Sequence, residues 1–129
     1  MQEKQVYEYS VIRLLPKIER EEFMNVGIIL FSKEAKYIKV DYSIDRGKLK
    51  SFTKLENFDF DSIINVLDAF KKITEGKPSG GIIASMNIAE RFRWLTSERS
   101  TMIQTSRPHP GFSSNLDLTF AKLFGELVL

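Results

Sequence analysis

Two stretches near the start of the chain decide its fold: VYEYSVIRLL at residues 6–15 and EFMNVGIILF at residues 22–31. Both are rich in aromatic and β-branched residues, which favour β-strands. Pro16 ends the first stretch, because proline cannot donate to a sheet ladder. The second is apolar on both faces, as an interior strand is. Its alternation places Met24, Val26, Ile28 and Leu30 on one predicted face and Phe23, Ile29 and Phe31 on the other. Gly27 in its middle predicts a bulge or a close backbone approach.

The rest of the chain adds one more early strand and several helices. YIKVDY at residues 37–42 alternates in hydropathy and predicts a third strand, and short connections make the three an antiparallel meander. Apolar residues at helical spacing predict helices over 59–75, 87–97 and 115–127. We further predict one helical turn within 45–52, a loop at 78–81, a short strand at 82–84, a strand at 100–105 and a break at Pro108 and Pro110. The predicted architecture is a single α+β domain over residues 1–129: a small antiparallel sheet, made of the meander and a later strand, packed with about three helices.

Composition restricts the chemistry. The 129 residues contain no cysteine and one histidine, which excludes disulfides, thiolate metal sites and cysteine nucleophiles and argues against a histidine-rich metal site. The formal net charge of +2 gives no strong field for nucleic acid. No apolar run approaches the length of a membrane span, and the polar start is unlike a signal peptide. We therefore expect a cytoplasmic protein with no cofactor, no metal and no membrane contact.

Residues 91–111 form the most unusual segment, with four arginines against the single acidic residue Glu98. Guanidinium groups bind phosphate and carboxylate bidentately, so this segment suggests an anion site. The candidate residues are Arg93, Arg99, Ser100, Gln104, Ser106 and His109. The competing interpretation is structural: Trp94 is core, one arginine pairs with a carboxylate such as Glu90, and residues 108–111 form a turn.

Two polar residues interrupt the apolar first strands. By alternation, Arg13 lies with Tyr7, Tyr9 and Val11, and Asn25 lies with Phe23, Ile29 and Phe31. One interpretation places both at the floor of a pocket. The other has Asn25 satisfying a backbone irregularity near Gly27 and Arg13 on an exposed edge. We expect the first two strands and the late stretch from Trp94 to Pro110 to meet around a shared cleft.

A second basic segment, residues 46–54, contains Arg46, Lys48, Lys50 and Lys54 without an acidic residue. It is either a phosphate-facing loop or a solvated surface loop. The sequence has no P-loop, GxSxG, HExxH or GxGxxG pattern. Ser106 and His109 lack an orienting acid at a recognisable spacing, which argues against a hydrolase triad.

The opening of the chain contains Tyr9-Ser10-Val11-Ile12-Arg13, then Pro16, then Glu22-Phe23-Met24-Asn25-Val26-Gly27 through Phe31. A later block contains Arg93-Trp94-Leu95-Thr96, Arg99-Ser100, Ile103-Gln104-Thr105-Ser106 and His109-Pro110-Gly111. These stretches resemble the bacterial DUF3037 family, whose opening has the form YSxxRxxP followed by ExxNVG-hydrophobic-LF and whose second block is similar to the later one here. The resemblance implies no catalytic residues. It implies an accessory role beside a HipA-like kinase, because genes of the family often neighbour genes for such kinases.

Three functional hypotheses follow. The leading one is an accessory or protein-binding domain with an Arg/Gln/His pocket for an anionic group, built from Arg13, Asn25 and the six candidates of residues 91–111. The second is an enzyme acting on a phosphate-bearing substrate such as a nucleotide, with His109 as acid or base and Arg99 stabilising charge. The third is a nucleic-acid-binding protein using residues 46–54 and the late arginines. The open edges of a three-stranded meander also allow a homodimer.

Overall fold

The chain folds as the two opening stretches predict, into strands β1 (Gln5–Leu14) and β2 (Met24–Ser32), joined by β3 (Tyr37–Tyr42) in an antiparallel meander. The structure is a computed structural model that describes residues 3–16, 22–53, 59–99 and 101–129, without the side chains of residues 50, 52 and 53. Two later strands, β4 (Ile103–Thr105) and β5 (His109–Ser113), both pair antiparallel with β1. The strand order β3-β2-β1-β4, with β5 also on β1, places β1 inside the sheet.

Four helices cover the sheet: α1 (Arg46–Thr53), α2 (Phe60–Glu75), α3 (Ile88–Leu95) and α4 (Leu116–Leu127). The last three begin at short polar side chains that accept a backbone N–H, namely Asp59, Asn87 and Asn115. Helix α2 ends at Gly76, whose φ of 69° is the left-handed conformation that glycine adopts at low cost. The predicted α+β class is therefore confirmed.

The two sheet faces carry separate apolar layers. On the main-core face, Ile12, Leu14, Ile29 and Phe31 pack against α1, α2 and α3, and the Phe31 ring stacks on Phe92 of α3 at 4.8 Å between centroids. On the opposite face, which we call the α4 face, Val11, Ile28 and Leu30 pack under Leu116 and Phe120 of α4. Both layers form because β1 and β2 carry apolar side chains on both of their faces.

The predicted alternation of β2 is wrong around Gly27, because the strand contains a bulge. Ile12 lies opposite Gly27 and Arg13 lies opposite Asn25, so Val26 is one residue too many in β2. The extra residue reverses the faces on one side of the bulge. Val26 therefore joins Ile29 in the main core, and Asn25 lies on the α4 face rather than with Ile29 and Phe31. Gly27 is required here, because a Cβ at this position would lie 2.7 Å from the carbonyl oxygen of Asp41.

The stretch after α2 also differs from the prediction. The predicted short strand at 82–84 is wrong, because Ile83–Ser85 forms a 3-10 turn, as does Pro78–Gly80 within the predicted loop. The predicted break at Pro108 and Pro110 is wrong in part, because β5 runs through Pro110. An edge strand tolerates this residue because one side of its backbone has no ladder to join.

Candidate functional site

A row of three polar side chains crosses the sheet on the α4 face. Arg13 of β1 lies directly opposite Asn25 of β2 on one side and directly opposite Gln104 of β4 on the other. Directly opposite residues of antiparallel strands project to the same face, with Cβ atoms about 5 Å apart. The structure therefore brings together these three predicted residues, which are separated by up to 91 positions in the sequence. We call them the Arg13 row. Arg13 is on an interior strand, which overturns the interpretation that placed it on an exposed edge.

Two buried polar atoms of this row have no hydrogen-bond partner: the Nε of Arg13 and the Oδ1 of Asn25. The side-chain nitrogen of Asn25 is hydrogen-bonded, since Nδ2 donates to the carbonyl oxygen of Leu127 at 3.0 Å. The Arg13 guanidinium lies over the Phe23 ring, 4.3 Å from its centroid. Burying a polar group without a partner costs about 1–3 kcal/mol. The folded chain therefore leaves two buried polar atoms of the Arg13 row without hydrogen bonds.

His109 lies on the same face at the other end of the sheet. It is directly opposite Tyr9 of β1, and the two rings are 5.2 Å apart between centroids. Four residues of extended chain separate Tyr9 from Arg13, which is about 13 Å. His109 is exposed, and no carboxylate of the described residues hydrogen-bonds to its imidazole. The geometry thus gives His109 an aromatic neighbour but no group that would orient it as an acid or base.

Ser106 has a structural role between β4 and β5. The four β1 residues from Ile12 to Tyr9 lie opposite the five residues from Thr105 to His109, so one extra residue is accommodated between β4 and β5. The Oγ of Ser106 accepts the Val11 N–H at 2.9 Å, which replaces a backbone acceptor of the ladder. The hydroxyl of Ser10 donates to the carbonyl oxygen of Ser106. Ser106 is only 4% exposed, so its hydroxyl is occupied by the sheet.

Arg91, Arg93 and Arg99 lie away from the Arg13 row, because α3 packs on the main-core face. Arg99 donates from Nη1 to the carbonyl oxygens of Leu95 (2.7 Å) and Ser97 (3.2 Å), and from Nη2 to that of Trp94 (2.8 Å). These contacts satisfy carbonyl groups at the end of α3, where a cation is favoured. Burial lowers the pKa of Arg99. Arg99 therefore acts as a helix cap.

Three other arginines lie in residues 91–111. Arg107 is exposed between β4 and β5, and the other two belong to α3. Arg91 donates from Nη1 to the carbonyl oxygens of Ile73 and Thr74 at the end of α2, while Arg93 is exposed on α3. The predicted ion pair with Glu90 does not form with Arg91 or Arg93, since Glu90 instead binds the capping residue Asn87. Ser100, which the sequence analysis also placed in the anion site, lies outside the described part of the chain.

Residues 46–53 of the basic segment form α1 at the sheet end that carries Met24. Lys48 lines an open groove of about 650 Å³ together with Met24, Asp45, Gly47 and Ser51. The Arg46 guanidinium lies over the Phe60 ring, 4.0 Å from its centroid. The Lys50 side chain and Lys54 lie outside the described residues. The groove is on the main-core side of Met24, so it is separate from the Arg13 row.

The sequence analysis missed two members of the site. Phe23, which is 44% exposed, supplies the ring under Arg13, and the carbonyl of Leu127 holds the Asn25 amide. The alternation along β1 correctly placed Tyr7, Tyr9 and Val11 on one face. The Leu127 contact had no local signal, since it joins residues 102 positions apart.

A family model described as "Protein of unknown function (DUF3037)" matches residues 9–128, nearly the whole chain. No curated protein and no solved structure matches the chain. Within the described ranges, none of the helices combines the length and the apolar character needed to cross a bilayer.

Proposed function

Since the chain belongs to the DUF3037 family, whose function is unknown, we propose that it is a binding domain that receives an anionic group of a partner on Arg13. The observation that carries this proposal is the Arg13 guanidinium, whose Nη groups make no hydrogen bond or ion pair with a described residue and are not among the buried unpaired atoms. Guanidinium is always charged and matches carboxylate and phosphate oxygens. An anion would pair with these Nη groups at the moment of binding.

The Nε of Arg91 is also buried without a partner, so the contrast between Arg13 and the other arginines concerns the whole guanidinium. The guanidinium groups of Arg91 and Arg99 both donate to carbonyl oxygens at helix ends. Arg13 makes no hydrogen bond or ion pair with a described residue, and its guanidinium lies over the Phe23 ring. A guanidinium over an aromatic face can still donate from its N–H groups. Arg13 therefore combines a fixed position with unused donors.

A protein partner fits this site better than catalysis does. Neither His109 nor any other described residue is oriented as an acid or base toward Arg13. The family resemblance points to a HipA-like kinase as the partner to test first. Phe23, with 44% of its surface exposed, supplies the apolar contact that a protein interface would use.

The test is capture of partners from the native cell by the tagged protein, with Arg13→Met as the variant and Arg93→Met as the matched control. Arg93 is exposed and lies on the other side of the sheet, so both variants lose one positive charge. We expect a partner retained by the wild type and by Arg93→Met to be lost by Arg13→Met. A folded Arg13→Met variant that retains every partner would refute the proposal.

A further inference from the structure

One corner of the sheet leaves apolar side chains exposed on the main-core face. Phe112 of β5 lies directly opposite Val6 of β1, so both side chains project to one face, with Cβ atoms about 5 Å apart. That face is the main-core face, because Val6 shares the alternation of Ile12 along β1. Phe112 is 71% exposed and Val6 is 40% exposed. Adjoining exposed apolar side chains mark interaction surfaces, whereas isolated ones are ordinary.

A cavity of about 210 Å³ opens beside this pair, and we call it the Val6 cavity. It is lined by Val6, Tyr7, Glu8, Phe31, Lys33 and Glu34. A cavity of about 150 Å³ holds a benzene molecule, so the Val6 cavity has room for a phenylalanine ring. Phe112 of the same chain does not fill it, because that ring lies on the other side of β1 and is mostly exposed. The corner therefore carries an exposed ring and a cavity of matching size next to each other.

The free backbone edge of β5 is poorly suited to pairing with another strand. The Ser106 N–H donates to the Val11 carbonyl oxygen at 2.8 Å, so the odd-numbered residues of β1 direct their backbone groups toward the side of β4 and β5. Pro110 pairs with the even-numbered Glu8, so its own backbone faces the free edge. Proline has no N–H to offer there, and proline on an edge opposes strand addition. Another molecule would therefore cover this corner through its side chains.

We propose that a second copy of this chain covers the corner, with the Phe112 ring of each copy in the Val6 cavity of the other. A twofold axis that runs between a ring and a cavity on one surface exchanges the two, so both contacts form together. This corner is on the opposite sheet face from Arg13, so the proposal is independent of the proposed function.

The charges around the ring and the cavity favour this pairing. Residues 107–114, which carry Phe112, include Arg107 and no acidic residue. The rim of the Val6 cavity has the two carboxylates of Glu8 and Glu34 against the single ammonium group of Lys33. A segment of positive charge thus enters a cavity with a negative rim, which is electrostatic complementarity across the twofold axis.

Sedimentation velocity over a series of concentrations of the whole chain tests the proposal. We expect the wild type to dimerise, and Phe112→Ser to raise the dissociation constant by at least about a hundredfold, because two buried rings are lost from each dimer. Val6→Glu adds a carboxylate to the cavity and should weaken the dimer similarly. Leu118→Ser is the matched control and should dimerise as the wild type does, because Leu118 is 68% exposed but lies on α4, at the opposite face. Circular dichroism checks that each variant is folded.

Mixing the two disruptive variants tests the exchange of rings. Phe112→Ser keeps its cavity and Val6→Glu keeps its ring, so their mixed dimer has one ring in one cavity, whereas each variant alone has none. We expect the mixture to dimerise more tightly than either variant. A wild type that stays monomeric up to about 1 mM would overturn the proposal and leave the corner to a different protein. A dimer that Phe112→Ser leaves unchanged, equal weakening by Leu118→Ser, or a mixture no tighter than its components would also overturn it.

Discussion

Replacing Arg13 by methionine should leave the fold as stable as before or make it more stable. The unpaired buried Nε costs about 1–3 kcal/mol, which the substitution removes. The loss of the guanidinium–Phe23 contact costs about 0.5–1 kcal/mol at a partly exposed site. Methionine keeps an unbranched stem of similar length for packing. We therefore expect the free energy of unfolding to rise by about 0–2.5 kcal/mol, the difference between these two ranges.

Arg99→Met should have the opposite effect, because the same substitution there removes a cap. Three hydrogen bonds to carbonyl oxygens near the end of α3 are lost. Since a hydrogen bond to a charged group contributes about 1.5–3 kcal/mol and these are partly exposed, we expect a loss of about 2 kcal/mol in all. Equilibrium urea unfolding followed by circular dichroism measures both variants, with the exposed Arg93→Met as the control. A loss of more than about 1 kcal/mol in Arg13→Met would show that its guanidinium is satisfied in the folded chain, and the reasoning would fail.

Three further predictions concern the supports of the site. Gly111→Ala should destabilise the protein by about 1–3 kcal/mol, because its Cβ would lie 2.5 Å from the Tyr7 Cζ. Gly125→Ala should stabilise it by about 0.5–1 kcal/mol, because its Cβ would have no atom within 4 Å. A Gly125→Ala variant that unfolds at lower urea than Gly111→Ala would contradict both predictions. Ser106→Ala removes the acceptor of a buried β1 N–H and should cost about 1–3 kcal/mol, whereas an unchanged unfolding midpoint would show that the bulge does not need the hydroxyl. Burial, together with a hydrogen bond to a carboxylate, raises the pKa of Tyr42 from 10.0 to about 12, so its contribution to stability is complete below pH 10 and is lost as the pH rises through 12. Tyr42→Phe should flatten that decline, and an equal decline in the variant would assign it to other groups.

The sequence predicted the regular elements of this fold because their signals are local. The first three strands and three of the helices lie within two residues of their predicted bounds, since alternation, helical spacing and capping residues each act over a few positions. Strand β5 was missed because Pro110 indicates a break unless the strand is known to be at an edge. Gly27 predicted a bulge or a close backbone approach, and both occur. The consequence for Asn25 depends on which residue is extra, and pairing with β1 makes that residue Val26.

The candidate site was predictable only in part, for a similar reason. Arg13, Asn25 and Gln104 stood out as polar residues in or near apolar strands, and the sheet brings them into one row. The late arginines stood out equally, yet Arg99 contacts helix-end carbonyls. A guanidinium that caps a helix and one that binds a ligand look alike in sequence, because their partners are set by packing between distant segments.

A crystal structure of the protein soaked with acetate tests the central claim most directly. The account predicts the carboxylate on the Arg13 guanidinium. An Arg13 guanidinium whose donors are all taken by carbonyl or carboxylate groups of the protein itself, with the ligand absent from the row, would contradict it.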